Sequence, residues 1–260
     1  MYPALTILAF VLFAVSLYGN IRQRHRLLSL MGRNINCPIP TVRLDQFDPA
    51  FRSNELGPTP DAEVAFIGKG EHVPGGTTDA EAWVLAVLSK HIECAFEFGT
   101  CTGKTAYLWA RNSPPNATIV TLTLAPEQTK SATYGAGDSR KAGKRAEDES
   151  AFTQFLYSGT DVESKITQLY GDSKEFDEAP FTGKCDLIFI DGSHAYSYVE
   201  SDTRKAIKML RPGGVIVWHD YRWPGGSAKG VYQYLNRLHQ DLPLVHLKGT
   251  NIVAYRSPSS

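Results

Sequence analysis

The sequence lacks an excess of either charge: 27 Lys and Arg stand against 27 Asp and Glu among 260 residues. With no basic field to gather polyanions, nucleic acid is excluded as an expected partner. Cysteine is sparse. Cys37, Cys94, Cys101 and Cys185 form no Cys-x-x-Cys pair and have no His-x-His nearby. That excludes a zinc site and a disulfide framework, and it implies reduced thiols in a cytosolic compartment. Internal repeats and low-complexity tracts are also absent, so 260 residues with 42% hydrophobic side chains describe one substantial α/β core.

Charge is missing altogether from Tyr2 to Ile21, YPALTILAFVLFAVSLYGNI. As a helix rising ~1.5 Å per residue, this run spans roughly the 30 Å of a bilayer's hydrocarbon core. No basic segment precedes it and no small-x-small cleavage site follows, as a secretory signal requires. Arg22, Arg24, Arg26 and Arg33 come next, with no acid before Asp45. By the positive-inside rule this predicts a single-pass membrane helix over 2–21 with its carboxyl side in the cytoplasm. A buried or interfacial helix is the alternative. Residues 22–60, with Pro38, Pro40, Pro49, Pro58 and Pro60, read as a linker packed partly on the domain that fills 61–260.

Within that domain, strand-like and helix-like segments alternate. The spacing predicts a helix over 78–91, capped from Thr77-Thr78, then a strand over 93–98 and a helix over 104–112. Four more β-branched runs follow: TIVTLTL (118–124), ITQLY (166–170), DLIFI (186–190) and VIVW (215–218). A helix over 196–210 ends at Arg211-Pro212-Gly213-Gly214, and another near 230–238 leads into LPLVHL and NIVAY, joined by a hairpin signal at Lys248-Gly249-Thr250. The pattern implies a Rossmann-like, doubly wound, mostly parallel seven-stranded sheet closing on an antiparallel hairpin. Ligands on such sheets bind at the carboxyl ends of the strands.

The first strand runs into FEFGTCTGKT (96–105), whose last three letters imitate a phosphate-binding loop. Such a loop needs four residues between its glycines. Here Thr100, Cys101 and Thr102 are only three, and Phe98 stands where the first glycine belongs. As acid-x-Gly-x-x-x-Gly, the same letters suit a turn that brings backbone close to a nucleoside cofactor. Glu97 could accept from turn N–H groups or from a bound ammonium. Asp172 ends the third strand, as an adenine acceptor or as a helix cap. Asp191 ends the fourth strand, with His194 three residues on, and His219-Asp220 ends the fifth. Two carboxylates on adjacent strand ends suit a hard divalent cation, and His194 is placed to abstract a proton. Helix caps and a surface histidine are the structural alternative.

This order of motifs resembles the class I S-adenosylmethionine-dependent methyltransferases. It looks like the branch of macrocin- and cephalosporin-type antibiotic O-methyltransferases and, more distantly, catechol O-methyltransferase. The resemblance covers about residues 66–256. It rests on VPGGTTDAEAW, FEFGTCTGKTAYL, TLTLAPEQ and LYGDS, and above all on DLIFIDGSHAYSYVESDTRKAIKMLRPGGVIVWHDY. It implies methyl transfer from S-adenosylmethionine to a small-molecule hydroxyl. Glu97, Gly99, Thr100 and Gly103 would line the cofactor's methionine part, Thr123 would stand at its ribose, and Asp172 with Ser173 at its adenine. Asp191, which also counts among the cofactor contacts, would join His219 and Asp220 around Mg²⁺ or Mn²⁺, with His194 as general base. Oligomer formation stays open.

Three positions depart from the family pattern. Cys101 occupies a place where glycine is common. Thr123 stands where the family has an acid for both ribose hydroxyls, a charge-assisted contact threonine cannot make; Glu127 is the nearest substitute. His219 replaces a second carboxylate, which moves metal preference toward transition ions or removes the metal. EQTKSATYGAGDSRKAGKRAEDES (127–150) reads as a mobile substrate lid or as disorder without function. Two rival functions are a nucleoside-triphosphatase, from GTCTGKT and a strand ending in Asp191, and a membrane-tethered binding protein that keeps the fold without turnover.

Overall fold

The computed structural model describes residues 38–70, 76–125, 127, 128, 133–135, 137–221 and 226–259, together with helical positions 13, 15–21 and 23. Most of the predicted membrane helix over 2–21 lies outside the described residues. Among those described, no helix is long and apolar enough to cross a membrane.

Among the described residues the main sheet has eight strands. They are β1 (Thr41–Val42), β4 (Cys94–Phe98), β5 (Thr118–Thr123), β6 (Ile166–Tyr170), β7 (Cys185–Ile190), β8 (Leu210–Trp218), β9 (Val245–Leu247) and β10 (Val253–Arg256). Their order is β1-β9-β10-β8-β7-β4-β5-β6. β4 to β8 are mutually parallel, and β10 runs antiparallel to both β8 and β9. Seven strands were expected. The eighth, β1, comes from the stretch read as linker and pairs parallel with β9, with Thr41 Oγ1 3.0 Å from His246 Nδ1. Two residues among prolines carry no alternation to read, so only the tertiary partner reveals the strand. The same stretch forms the short helix α1 (Leu44–Phe47) and the small ladder β2 (Ser53–Asn54) with β3 (Gly57–Pro58), and it buries Ile39 and Phe51.

The continuous apolar strands are explained by cover on both faces. Ala95, Ile119, Leu187, Phe189, Val215 and Val217 face one cluster, under α2 (Asp79–Leu88) and α3 (Lys104–Asn112). Phe96, Val120, Ile188, Ile190, Ile216 and Trp218 face the other, under α5 (Tyr196–Met209) and α6 (Lys229–Leu238). α2 begins with a capping box in which Thr78 Oγ1 accepts from Glu81 N and Glu81 Oε2 accepts from Thr78 N. Such a cap stabilises a helix by about 1 kcal/mol. β8 starts at Leu210 rather than Val215, because LRPGG continues the strand through a register shift opposite Cys185–Leu187.

The stretch 127–150 is not simply a loop. Arg140–Glu149 is a helix, α4, with Ala142 and Ala146 buried. Ala142 packs with Ala195 and Tyr198. Asp138, just before the helix, accepts from the Ser197 backbone N–H at 3.2 Å and from its hydroxyl at 2.5 Å, which ties the segment to the start of α5.

Candidate active site

The turn after β4 is built by close approach. Gly99 has φ +101°, and a Cβ there would lie 2.3 Å from the Asp191 carbonyl oxygen, so no side chain fits. Gly103 caps α3 at φ +76°, against the ring of Tyr157. Lys104, which on the triphosphatase reading would meet a phosphate, is buried and donates from Nζ to the Thr77 carbonyl at 3.1 Å. Cys101 takes φ +45°, a conformation that favours glycine. Burial pushes its thiol up to about 12, so the sulfur stays protonated.

A cleft opens beside this turn at the carboxyl ends of β4 to β7. Gly99, Cys101, Thr123, Ser173, Asp191 and Asp202 are on its wall, and Ala146 and Glu149 of α4 close one side. The cofactor residues expected from sequence divide accordingly. Gly99, Thr123, Ser173 and Asp191 line the cleft, whereas Glu97, Thr100, Gly103 and Asp172 do not. Glu97 is buried beneath the turn and accepts from the Thr121 hydroxyl at 2.6 Å; that hydroxyl lies 2.7 Å from Thr100 Oγ1. Burial pushes Glu97 up to about 8, and the Asp191 charge adds to the rise. Each oxygen of Asp172 already holds one donor: Oδ1 accepts from Lys174 N at 2.9 Å and Oδ2 from the Tyr198 hydroxyl at 2.8 Å. Glu127 is exposed and is not part of the wall.

Asp191 leads from the cleft into a buried charge centre. His219 Nδ1 lies 3.1 Å from Asp191 Oδ1 and 3.9 Å from Asp220 Oδ1, while its Nε2 lies 3.1 Å from Glu81 Oε2. Burial by itself lowers the pKa of His219, but Asp191 and Glu81 more than offset it and carry it up to about 10. Burial also opposes the charge on Glu81. Contact with His219 and the N–H donors of Asn251 and Thr78 nevertheless hold it well below the usual carboxylate range. His194 Nε2 lies 2.9 Å from Asp220 Oδ2, and its Nδ1 is buried with no hydrogen-bond partner among the described residues. Burial, reinforced by Arg145, lowers His194 to about 4, so the ring is neutral at neutral pH. Asp220 holds φ +59°, a strained conformation that recurs at functional sites. Arg145 reaches from α4 to within 3.6 Å of Asp220 Oδ2 and donates to Glu149 at 2.7 Å.

Ligand atoms of Asp191, His219 and Asp220, the three expected metal residues, all lie within 4.8 Å of one another. Two carboxylates and an imidazole whose far nitrogen is oriented by Glu81 match the donor chemistry of a divalent ion. Glu81, Arg145, Tyr198 and Asp202 also shape the site, yet none stands at a strand end. An Arg145-x-x-x-Glu149 pair beside alanines spaced four apart was the available signal for α4.

Residues 96–221, just under half of the chain, match a family model described as a methyltransferase domain. The matched region holds the glycine turn after β4 and the whole lining of the cleft. No curated protein matches the sequence significantly. Among solved structures, the methyltransferase PaMTH1 of Podospora anserina, bound to S-adenosylhomocysteine, is similar at 14% identity and TM-score 0.52, covering 74% of this chain and 83% of that one. The O-methyltransferase TomG of Streptomyces achromogenes, in complex with S-adenosylmethionine, is similar at 19% identity and TM-score 0.45, covering 70% and 82%. An O-methyltransferase of Bacillus cereus in complex with S-adenosylhomocysteine shows 15% identity and TM-score 0.45, covering 70% and 83%. At these identities the Podospora likeness speaks for the methyltransferase fold. The cleft suits a nucleoside amino acid: Asp191 and the unpartnered Asp202 Oδ1 offer acceptors to its N–H groups, and Gly99 admits close backbone approach.

Proposed function

We propose that this protein is an S-adenosylmethionine-dependent methyltransferase acting on the hydroxyl of a small molecule, with His194 as the base that takes the hydroxyl proton. The observation that carries the reading is the buried His194–Asp220 pair set directly after the cleft-lining run Asp191–Ser193. S-adenosylmethionine supplies an electrophilic methyl group on a sulfonium. Its ammonium would be received by Asp191 and its ribose would lie against Thr123. Displacement at the methyl requires the acceptor oxygen in line behind it, held there by the walls of the cleft. As the oxygen–carbon bond forms and the sulfur–carbon bond breaks, the proton passes to His194 Nδ1, and Asp220 stabilises the imidazolium. The ring is neutral above about pH 4, so its lone pair is available throughout the physiological range, and because that pKa makes it a weak base the transfer depends on Asp220 to stabilise the imidazolium.

A divalent ion would be held by Asp191, Asp220 and His219, and there it would lower the pKa of the acceptor hydroxyl. It would have to displace the proton that His219 Nδ1 now shares with Asp191, so affinity should rise with pH. The test is calorimetry with S-adenosylhomocysteine followed by a methylation assay on a hydroxylated small-molecule panel. His194→Gln should bind the product within threefold of wild type and lose about 10²–10⁴ in kcat. Retained turnover would remove His194 from the mechanism, and the same assay after chelation reads the metal's part.

The uncharged run 2–21 and the arginines after it support attachment of this domain to the cytoplasmic face of a membrane through a single span. The described positions Phe13, Val15 and Leu17 are exposed apolar side chains, in keeping with that role. The full chain should resist carbonate extraction from membranes, and a chain beginning at residue 38 should not. Release of both would overturn the anchor.

A further inference from the structure

Asp202 has no part in the proton transfer, yet it is among the most deeply buried charged residues of the domain, 1% exposed on the first half of α5. Its Oδ1 has no hydrogen-bond partner among the described residues, and it lies on the wall of the cleft beside Ser173, Gly192 and Tyr198. Leaving a buried acceptor unsatisfied costs about 1–3 kcal/mol, more for a charged group, so such an atom in a ligand cleft points to a missing donor. Burial raises Asp202 to about 7, although a hydrogen bond with Ser173 and the Lys205 charge pull the other way. Asp172, the acid that the strand pattern offers for adenine, has both oxygens occupied by Lys174 N and the Tyr198 hydroxyl.

The rest of the cleft decides which donor Asp202 meets. Asp191 stands at the Gly99 turn, where the amino-acid end belongs, and Thr123 ends β5, where the ribose belongs. Asp202 and Ser173 lie beyond them, between the end of β6 and α5. An anionic acceptor there repels the cofactor's carboxylate and matches an exocyclic amino group. We propose that Asp202, rather than Asp172, receives the adenine amino group and so sets the nucleobase specificity of the site. Asp172 acts one step back by fixing Tyr198, whose ring also carries the Lys174 ammonium at 4.0 Å from its centroid.

This assignment rests on the S-adenosylmethionine reading, and calorimetry on the full chain tests the two separately. The probes are S-adenosylhomocysteine and its 6-oxo counterpart S-inosylhomocysteine, which presents an acceptor where adenine presents N–H. Wild type should prefer the adenosyl compound by at least tenfold. Asp202→Asn, which is isosteric and can donate to the 6-oxo group, should weaken the adenosyl compound roughly ten- to a hundredfold and reverse the preference. Asp202→Ser, which removes the carboxylate without supplying the amide, should erase the preference if the Asn variant does not fold. Asp172→Asn should weaken both compounds and leave their ratio unchanged. An unaltered ratio in the Asp202 variants, or a reversal in Asp172→Asn, would overturn the assignment. Wild type binding neither compound would overturn it together with the cofactor reading.

Discussion

Thr123 sits at the end of β5 on the cleft wall, where its hydroxyl can make a single neutral hydrogen bond to a ribose. An aspartate there could accept from both ribose hydroxyls with charge assistance, and such bonds are about twice as strong. Thr123→Asp should therefore tighten S-adenosylhomocysteine binding about tenfold in calorimetry. Unchanged affinity would mean that the ribose does not reach this strand end. The neighbouring departure, Cys101, has a different physical meaning. Its φ of +45° stores backbone strain of order 1 kcal/mol at a position that a glycine would occupy freely, and its protonated thiol has no evident chemistry.

At the scale of elements, the site is held by contacts between segments far apart in sequence. The loop carrying His194 is pressed against the start of α6, where Gly230 lies so close that a Cβ would stand 2.3 Å from the His194 carbonyl oxygen and 2.5 Å from Tyr196 N. Both neighbours are backbone, so neither can turn aside. Gly230→Ala should cost about 1–3 kcal/mol in urea unfolding, as overpacking does. It should also lower kcat while product affinity stays near wild type, because the clash falls on the backbone of His194–Tyr196 and not on Gly99 or Thr123. Equal losses in kcat and product affinity would show that α6 supports the cofactor as well. α4 adds the opposite wall. Its polar surface hides two buried alanines, and Arg145 extends from it to the Asp220 carboxylate.

For the molecule as a whole, the buried charge centre makes stability depend on pH in a definite sense. His219 has its folded pKa raised from 6.5 to about 10, so its contribution is complete below pH 6.5 and is lost as pH rises toward 10. Glu97, raised from 4.5 to about 8, is also protonated when folded, and its ionisation opposes folding increasingly between those values. His194, lowered to about 4, acts in the other direction and costs stability as pH falls from 6.5 toward 4. Urea midpoints should therefore be highest at mildly acidic pH, below 6.5. They should fall between pH 8 and 9.5, where His219 contributes a slope of about 1.4 kcal/mol per unit. His219→Gln should be less stable at pH 7 and should lose this alkaline slope. The same slope in both proteins would place the titration elsewhere.

The sequence by itself determined the alternating strands and helices, the parallel sheet with its terminal hairpin, and the gathering of candidate site residues at the strand ends. Those features are written in local periodicity: apolar runs at Ala95–Phe98 and Asp186–Ile190, glycines at 99 and 103, and acids at 191 and 220. Only the tertiary structure decided which of those residues line the cleft. Glu97 alternates to the inner face of β4 and meets Thr121 across the ladder, while Asp172 turns to Tyr198. The same packing brought Glu81 onto His219 across more than a hundred residues and left Asp202 Oδ1, among the described residues, without a hydrogen-bond partner in the cleft. Spacing along a strand or helix shows which side chains share a face. What each one meets depends on neighbouring elements, and these pairings have no local sequence pattern.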